Sequence, residues 1–194
     1  MNKKRMSTEK LVLGALMTAL VIVFQLLATY TAFFGPFSTA IALVPIVIGA
    51  ILCGKAIGAW LGLVFGVVVI ATGGAVLFWQ FSIPGTIITV IVKGMACGFV
   101  AGWVYELLNK INHYVAVICA SIICPIVNTG VFLLGSAIFF LDYALEIASM
   151  IGLDDVGFSV FVALAFGNFL FELGINTILS PIIVRLLNIR RKKI

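Results

Sequence analysis

Apolar residues run along this chain in six long blocks, near 11–29, 40–54, 57–72, 86–108, 114–141 and 158–187. Breakers and polar residues mark the joints between them. Gly35-Pro36 follows the first block, Gly54-Lys55 divides the second from the third, and Gly73-Gly74 and Pro84-Gly85 precede the fourth. Asn109 to His113 separates the fourth block from the fifth, and Asp142 to Gly157 the fifth from the sixth. A helical membrane span takes about 20 mostly apolar residues, and runs of this length are too long for barrel strands. In lipid a backbone must satisfy its own hydrogen bonds, which leaves helices. The second and third blocks are short for full spans. The pattern predicts an all-α membrane protein, a bundle of six transmembrane helices forming one integral membrane domain over residues 1–194.

Composition strengthens that reading. The 194 residues are 63% hydrophobic and 10% charged, against roughly 25% charged in soluble domains. A chain this short has too much surface for burial in a core to explain the difference. Six spans leave no room for a separate catalytic domain. Lys3, Lys4 and Arg5 ahead of an apolar run imitate a signal peptide, but no small-x-small cleavage site follows within easy reach and five more blocks come after. The first block therefore reads as an uncleaved helix. Cys53, Cys97, Cys119 and Cys124 all lie in apolar stretches without a C-x-x-C pair, so they read as buried small hydrophobes rather than metal ligands.

Charge sets the direction of the spans. Of the twelve Lys and Arg residues, four (Lys3, Lys4, Arg5, Lys10) precede the first block and five (Arg185, Arg190, Arg191, Lys192, Lys193) lie at the end of the sixth. Lys55 and Lys110 occupy the second-to-third and fourth-to-fifth joints. With six spans these places share one side, which the positive-inside rule makes cytoplasmic. The opposite joints carry no Lys or Arg and hold Asp142, Glu146, Asp154 and Asp155. Both termini are thus expected in the cytoplasm. The net charge of +5 then reflects topology and anionic lipid, with no call for nucleic acid.

Two charged residues fall well inside spans, away from their ends: Lys93 in the fourth block and Glu172 in the sixth. Counting 1.5 Å per residue from the outer end puts them about 10 Å and about 20 Å deep. Asn128 and Asn168 fall at comparable depths. A charge in the hydrocarbon core costs at least about 2.5 kcal/mol, so such residues face a cavity or a partner. One reading is a structural ion pair with asparagines as interhelical glue. The other is a polar pocket open to the outside, in which Lys93 meets a ligand carboxylate and Glu172, Asn128 and Asn168 meet hydroxyl or amide groups. Buried pairs are rarely net stabilisers, which favours the pocket. Tyr30, Phe33, Phe34 and Phe37 on one outer joint, and Phe78, Trp79, Gln80 and Phe81 on the next, form either an interfacial aromatic belt or a lid. In the lid reading Trp79 and Gln80 close over the pocket.

Glycines recur every fourth residue: Gly54, Gly58, Gly62 and Gly66 in the third block, then Gly94, Gly98 and Gly102 in the fourth. Such stripes let helix backbones approach closely. Ala15 and Ala19 make a shorter small-residue pair near the cytoplasmic end of the first helix. The chain contains no G-x-x-x-x-G-K-[ST] loop for ATP, no H-E-x-x-H, and a single histidine, His113, in a cytoplasmic joint. These features speak against an ATPase, a zinc protease or a Ser-His intramembrane protease.

Over essentially its whole length the chain resembles the substrate-binding S components of energy-coupling factor (ECF) transporters, the vitamin importers of prokaryotes. The resemblance rests on Ala15-Leu16-Met17-Thr18-Ala19 after a basic N-terminus, on Leu43 to Leu52 followed by Gly54, and on Pro125-Ile126-Val127-Asn128-Thr129-Gly130, in that order along the chain. It implies a non-enzymatic subunit of the prokaryotic plasma membrane, with no cofactor of its own. Such a subunit captures a vitamin from outside and docks on a transmembrane coupling subunit (T component) through Ala15 and Ala19. ATP is used only by two partner ATPases. Lys93 with the Pro-Ile-Val-Asn-Thr-Gly stretch is most similar to pantothenate-type members, with folate-type members next. The competing classes are a solo secondary transporter and a structural or pore-forming membrane protein. The halves show no obvious inverted repeat of broken helices, which weakens the first of these.

Overall fold

Helix accounts for nearly all of the described chain. The computed structural model describes residues 8–31, 40–80, 82–139, 166–167 and 169–179. In order these form α1 (Thr8–Thr31), α2 (Ala40–Cys53), α3 (Lys55–Ala71), the single turn α4 (Val76–Trp79), α5 (Ile83–Leu108) and α6 (His113–Phe139), followed by α7 (Phe169–Leu179). No strand occurs among the described residues. α1, α5 and α6 are each long and apolar enough to cross a membrane, while α2, α3 and α7 are shorter apolar helices. The Gly35-Pro36 joint, the acidic segment from Asp142 to Gly157, and both ends of the sixth apolar block lie outside the described residues.

The outer surface is as apolar as the core. Leu16, Trp60, Trp103, Ile126 and Leu134 are exposed, while Val21, Leu43, Ile46, Leu61 and Phe65 are fully buried. Helices that are apolar all round suit a lipid surround. The molecule is a membrane protein by this criterion as well as by composition.

Local chemistry explains where the helices start and stop. Gly54 separates α2 from α3 with φ at +99°, a conformation that glycine adopts without the penalty a Cβ brings. Pro84-Gly85 looks like a break before a helix near Thr86, yet α5 starts three residues earlier, at Ile83. Ser82 caps it, its hydroxyl accepting from the Gly85 N–H at 3.2 Å. Pro84 then sits in the first turn, where a missing N–H loses nothing. Thr86, buried just behind, ties α4 down through its hydroxyl to the Phe78 carbonyl at 3.0 Å. At the other end Asn112 caps α6, its Oδ1 accepting from Tyr114 N at 2.9 Å and Val115 N at 3.3 Å.

The glycine stripes are the contact between α3 and α5. The two helices run antiparallel, with Gly58 against Gly98, Gly62 against Gly94, and Gly66 against Val90. A Cβ added at Gly62 or Gly94 would overlap the carbonyl of the other, and one at Gly66 would come within 2.9 Å of the Val90 carbonyl oxygen. Backbone therefore meets backbone, with Cα–H groups facing carbonyls. At the end of this contact Lys55 Nζ pairs with Glu106 Oε2 at 2.9 Å, both side chains about two-fifths exposed. An ion pair that wet stabilises by less than about 1 kcal/mol, so it marks the helix ends more than it holds them.

Candidate functional site

Polar groups gather where α5, α6 and α7 meet. α5 and α6 are antiparallel neighbours whose register is set by three pairs: Gly85 against Phe139, Thr89 against Gly135, and Lys93 over Phe132. Each step is one helical turn, and residues three or four apart share a face. Asn128 lies one turn further along α6 than Phe132, and hence about one turn beyond Lys93 down the seam.

Asn128 is the link to α7. Its side chain is 3% exposed, and its Nδ2 donates to Glu172 Oε2 at 3.2 Å. Glu172 is 1% exposed. A carboxylate accepts and does not donate, so the amide N–H end of Asn128 must face it. Asn176, fully buried and one turn along the same face of α7, donates from its Nδ2 to the backbone carbonyl of Glu172 at 2.9 Å. Glu172 is therefore braced from α6 through its carboxylate and within α7 through its backbone.

Lys93 is half-buried and points its ammonium at two ring faces, 5.0 Å from the centroid of Phe132 and 5.9 Å from that of Phe65. Each such contact is worth about 0.5–2 kcal/mol, more as water is excluded. The ammonium also lies within electrostatic reach of Glu172. Phe132 meets Phe78 edge-to-face at 5.3 Å, which carries the contact chain from the seam out to α4. The seam thus has a cationic group held by aromatics one turn from a carboxylate that accepts from the Asn128 amide.

The candidate residues read from sequence fall into three groups. Asn128 and Glu172 are hydrogen-bonded, with Lys93 one turn away. Tyr30, at the end of α1, is 81% exposed, and Trp79, the last residue of α4, and Gln80 after it are exposed. Phe78 is the residue of that connection in ring contact with the seam. Ala15 and Ala19 are exposed on α1, with Leu16 exposed between them. Asn168 lies outside the described residues.

Several buried polar residues escaped the sequence reading. Gln25 on α1 is 2% exposed and reaches Thr29 at 3.4 Å, and Thr29 meets Thr72, just past the end of α3, at 3.1 Å. Thr89 stands one turn before Lys93, Ser136 one turn after Phe132, and Asn176 one turn after Glu172. That four-residue spacing from a known charge is the signal that would have found Thr89 and Asn176. The Oδ1 atoms of Asn128 and Asn176 and the hydroxyls of Thr89 and Ser136 are buried without a hydrogen-bond partner among the described residues. A buried polar group left unmatched costs about 1–3 kcal/mol, so this concentration along one seam suits a place where another molecule supplies the partners.

Comparison with known proteins adds one finding. The profile of a protein family described as "ECF transporter, substrate-specific component" matches residues 9–184. No curated protein and no solved structure matches.

Proposed function

The chain belongs to the family of substrate-specific components of ECF transporters, and on that premise we propose that it is the high-affinity vitamin-binding subunit of such an importer. It takes a small carboxylate-bearing vitamin from outside, pantothenate first and folate next, and does no chemistry on it. In this reading six spans cross the membrane and both termini lie in the cytoplasm, as the distribution of Lys and Arg favours. Energy comes from a coupling subunit and two ATPases in trans, and the chain itself needs no cofactor.

The observation that carries this reading is the buried Asn128–Glu172 hydrogen bond with Lys93 one turn away. Lipid-embedded ionisable groups are expensive, and here two of them, Lys93 and Glu172, converge with the Asn128 amide from three helices. Lys93 would meet the ligand carboxylate with a charge-assisted bond, and Asn128, Asn168 and Glu172 the hydroxyl and amide groups. Tyr30, Trp79 and Gln80 lie on the outer connections as lid residues, and Phe78 couples that lid to Phe132. Isothermal titration of the purified chain against the B vitamins is expected to give one submicromolar binder. Absence of binding to every member would overturn the proposal. Lys93→Ala is expected to weaken a carboxylate ligand at least tenfold in the same titration.

Ala15 and Ala19 supply a small-residue face on α1 for reversible contact with the coupling subunit, since small residues let helices approach without a permanent interface. Ala15→Phe is expected to leave vitamin affinity unchanged. It should lower uptake at least tenfold in cells that carry the coupling subunit and ATPases. Unchanged uptake would remove α1 from the docking surface.

A further inference from the structure

Building on that function, we infer that the site is two-ended. It takes a ligand whose carboxylate lies at Lys93 and whose other end carries a hydroxyl or N–H donor, received by the carbonyl oxygens of Asn128 and Asn176. The ligand class is a carboxylic acid with a hydrogen-bond donor remote from the acid group.

The argument starts from which way the two amides face. Asn128 turns its Nδ2 to the Glu172 carboxylate, and Asn176 turns its Nδ2 to a backbone carbonyl. Both of those partners only accept. Each amide is therefore fixed in orientation, and its oxygen, an acceptor, is buried and unmatched among the described residues. Asn128 is 3% exposed and Asn176 fully buried, so bulk water is not their partner. With the Glu172 carboxylate bonded to Asn128, this end of the seam is rich in acceptors. It suits a donor and repels an anion.

One turn away the chemistry is reversed. Lys93 has donors only, and the rings beneath it cannot take an N–H···O bond from it. A carboxylate at Lys93 and a donor at the asparagines satisfy both ends at once. A ligand placed the other way would set its anion beside Glu172. Sites that hydrogen-bond a ligand group discriminate strongly against analogues lacking it, because the buried partner is then stranded.

This sorts the vitamins by chemistry. Pantothenate (hydroxyls), biotin (ureido N–H groups) and folate (pterin N–H groups) each have a carboxylate and a distant donor. Lipoate has a carboxylate and no donor at its far end. Thiamine and riboflavin have no carboxylate. Titration of the full-length chain with these six is expected to find its binder among the first three. Tight binding of lipoate, thiamine or riboflavin instead would overturn the two-ended site and leave the family function standing. Binding of none would overturn both.

Charge neutralisation separates the two ends for whichever vitamin binds. Its carboxyl methyl ester is expected to bind the unaltered chain at least tenfold more weakly. Lys93→Met should erase that ester penalty. Asn176→Ala should weaken the parent vitamin at least tenfold and keep the ester penalty intact. An unaltered affinity in Asn176→Ala, or an ester penalty that vanishes there and persists in Lys93→Met, would overturn the assignment of ends. The ester measurement on the unaltered chain needs no variant to fold: equal affinity for acid and ester overturns the Lys93 end by itself.

Discussion

Gly62→Leu is expected to prevent the bundle from forming its native packing, lowering stability by more than about 3 kcal/mol, beyond the usual range for an overpacked core. The reason is geometric. At Gly62 even a single methyl group would run into the Gly94 carbonyl, and backbone cannot rotate out of the way as a side chain can. Leucine would push α3 off α5 along the whole stripe, releasing the matching contacts at Gly58–Gly98 and Gly66–Val90. Gly130→Ala is the control, because among the described residues nothing lies within 4 Å of a Cβ built at Gly130. It should be neutral within about 0.5 kcal/mol or slightly stabilising, as alanine favours helix over glycine. Denaturation of both variants in detergent, followed by size-exclusion chromatography, checks the pair. A Gly62→Leu protein as stable as Gly130→Ala would show that the two helices can separate freely.

Glu172→Leu should cost more in ligand binding than any other single change at the seam, more than a hundredfold, or about 2.7 kcal/mol. Leucine leaves the Asn128 amide without its acceptor and removes the charge that balances Lys93 across one helical turn. Both residues then lose the arrangement that aims them. Glu172→Gln keeps the shape and can still accept from Asn128, so it should lose about tenfold, the share due to charge. Titration with the bound vitamin distinguishes the two. Equal affinity for Glu172→Leu and the unaltered chain would place the carboxylate outside the binding site.

Most of the fold was legible because lipid demands long apolar runs. The blocks at 40–54, 57–72, 86–108 and 114–141 correspond to α2, α3, α5 and α6 within a few residues at each end. Where they differ, a local device is responsible: Ser82 begins α5 ahead of a Pro-Gly pair that by composition signals a stop. α4 could not be foreseen, since a single turn leaves no periodicity to read. Lys93 and Glu172 stood out because charge is rare in such a chain. Gln25, Thr89, Ser136 and Asn176 are uncharged and scattered, and only the register between helices shows that three of them share one seam. That register depends on contacts between residues distant in sequence, Gly85 with Phe139, Thr89 with Gly135 and Asn128 with Glu172, which no local pattern contains.

Gly54 also bears on how the protein is made. α2 has 14 residues and α3 has 17, so each on its own is about 21–26 Å long and falls short of the bilayer core. With a joint of one residue between them, the two are expected to enter lipid as one unit rather than one at a time.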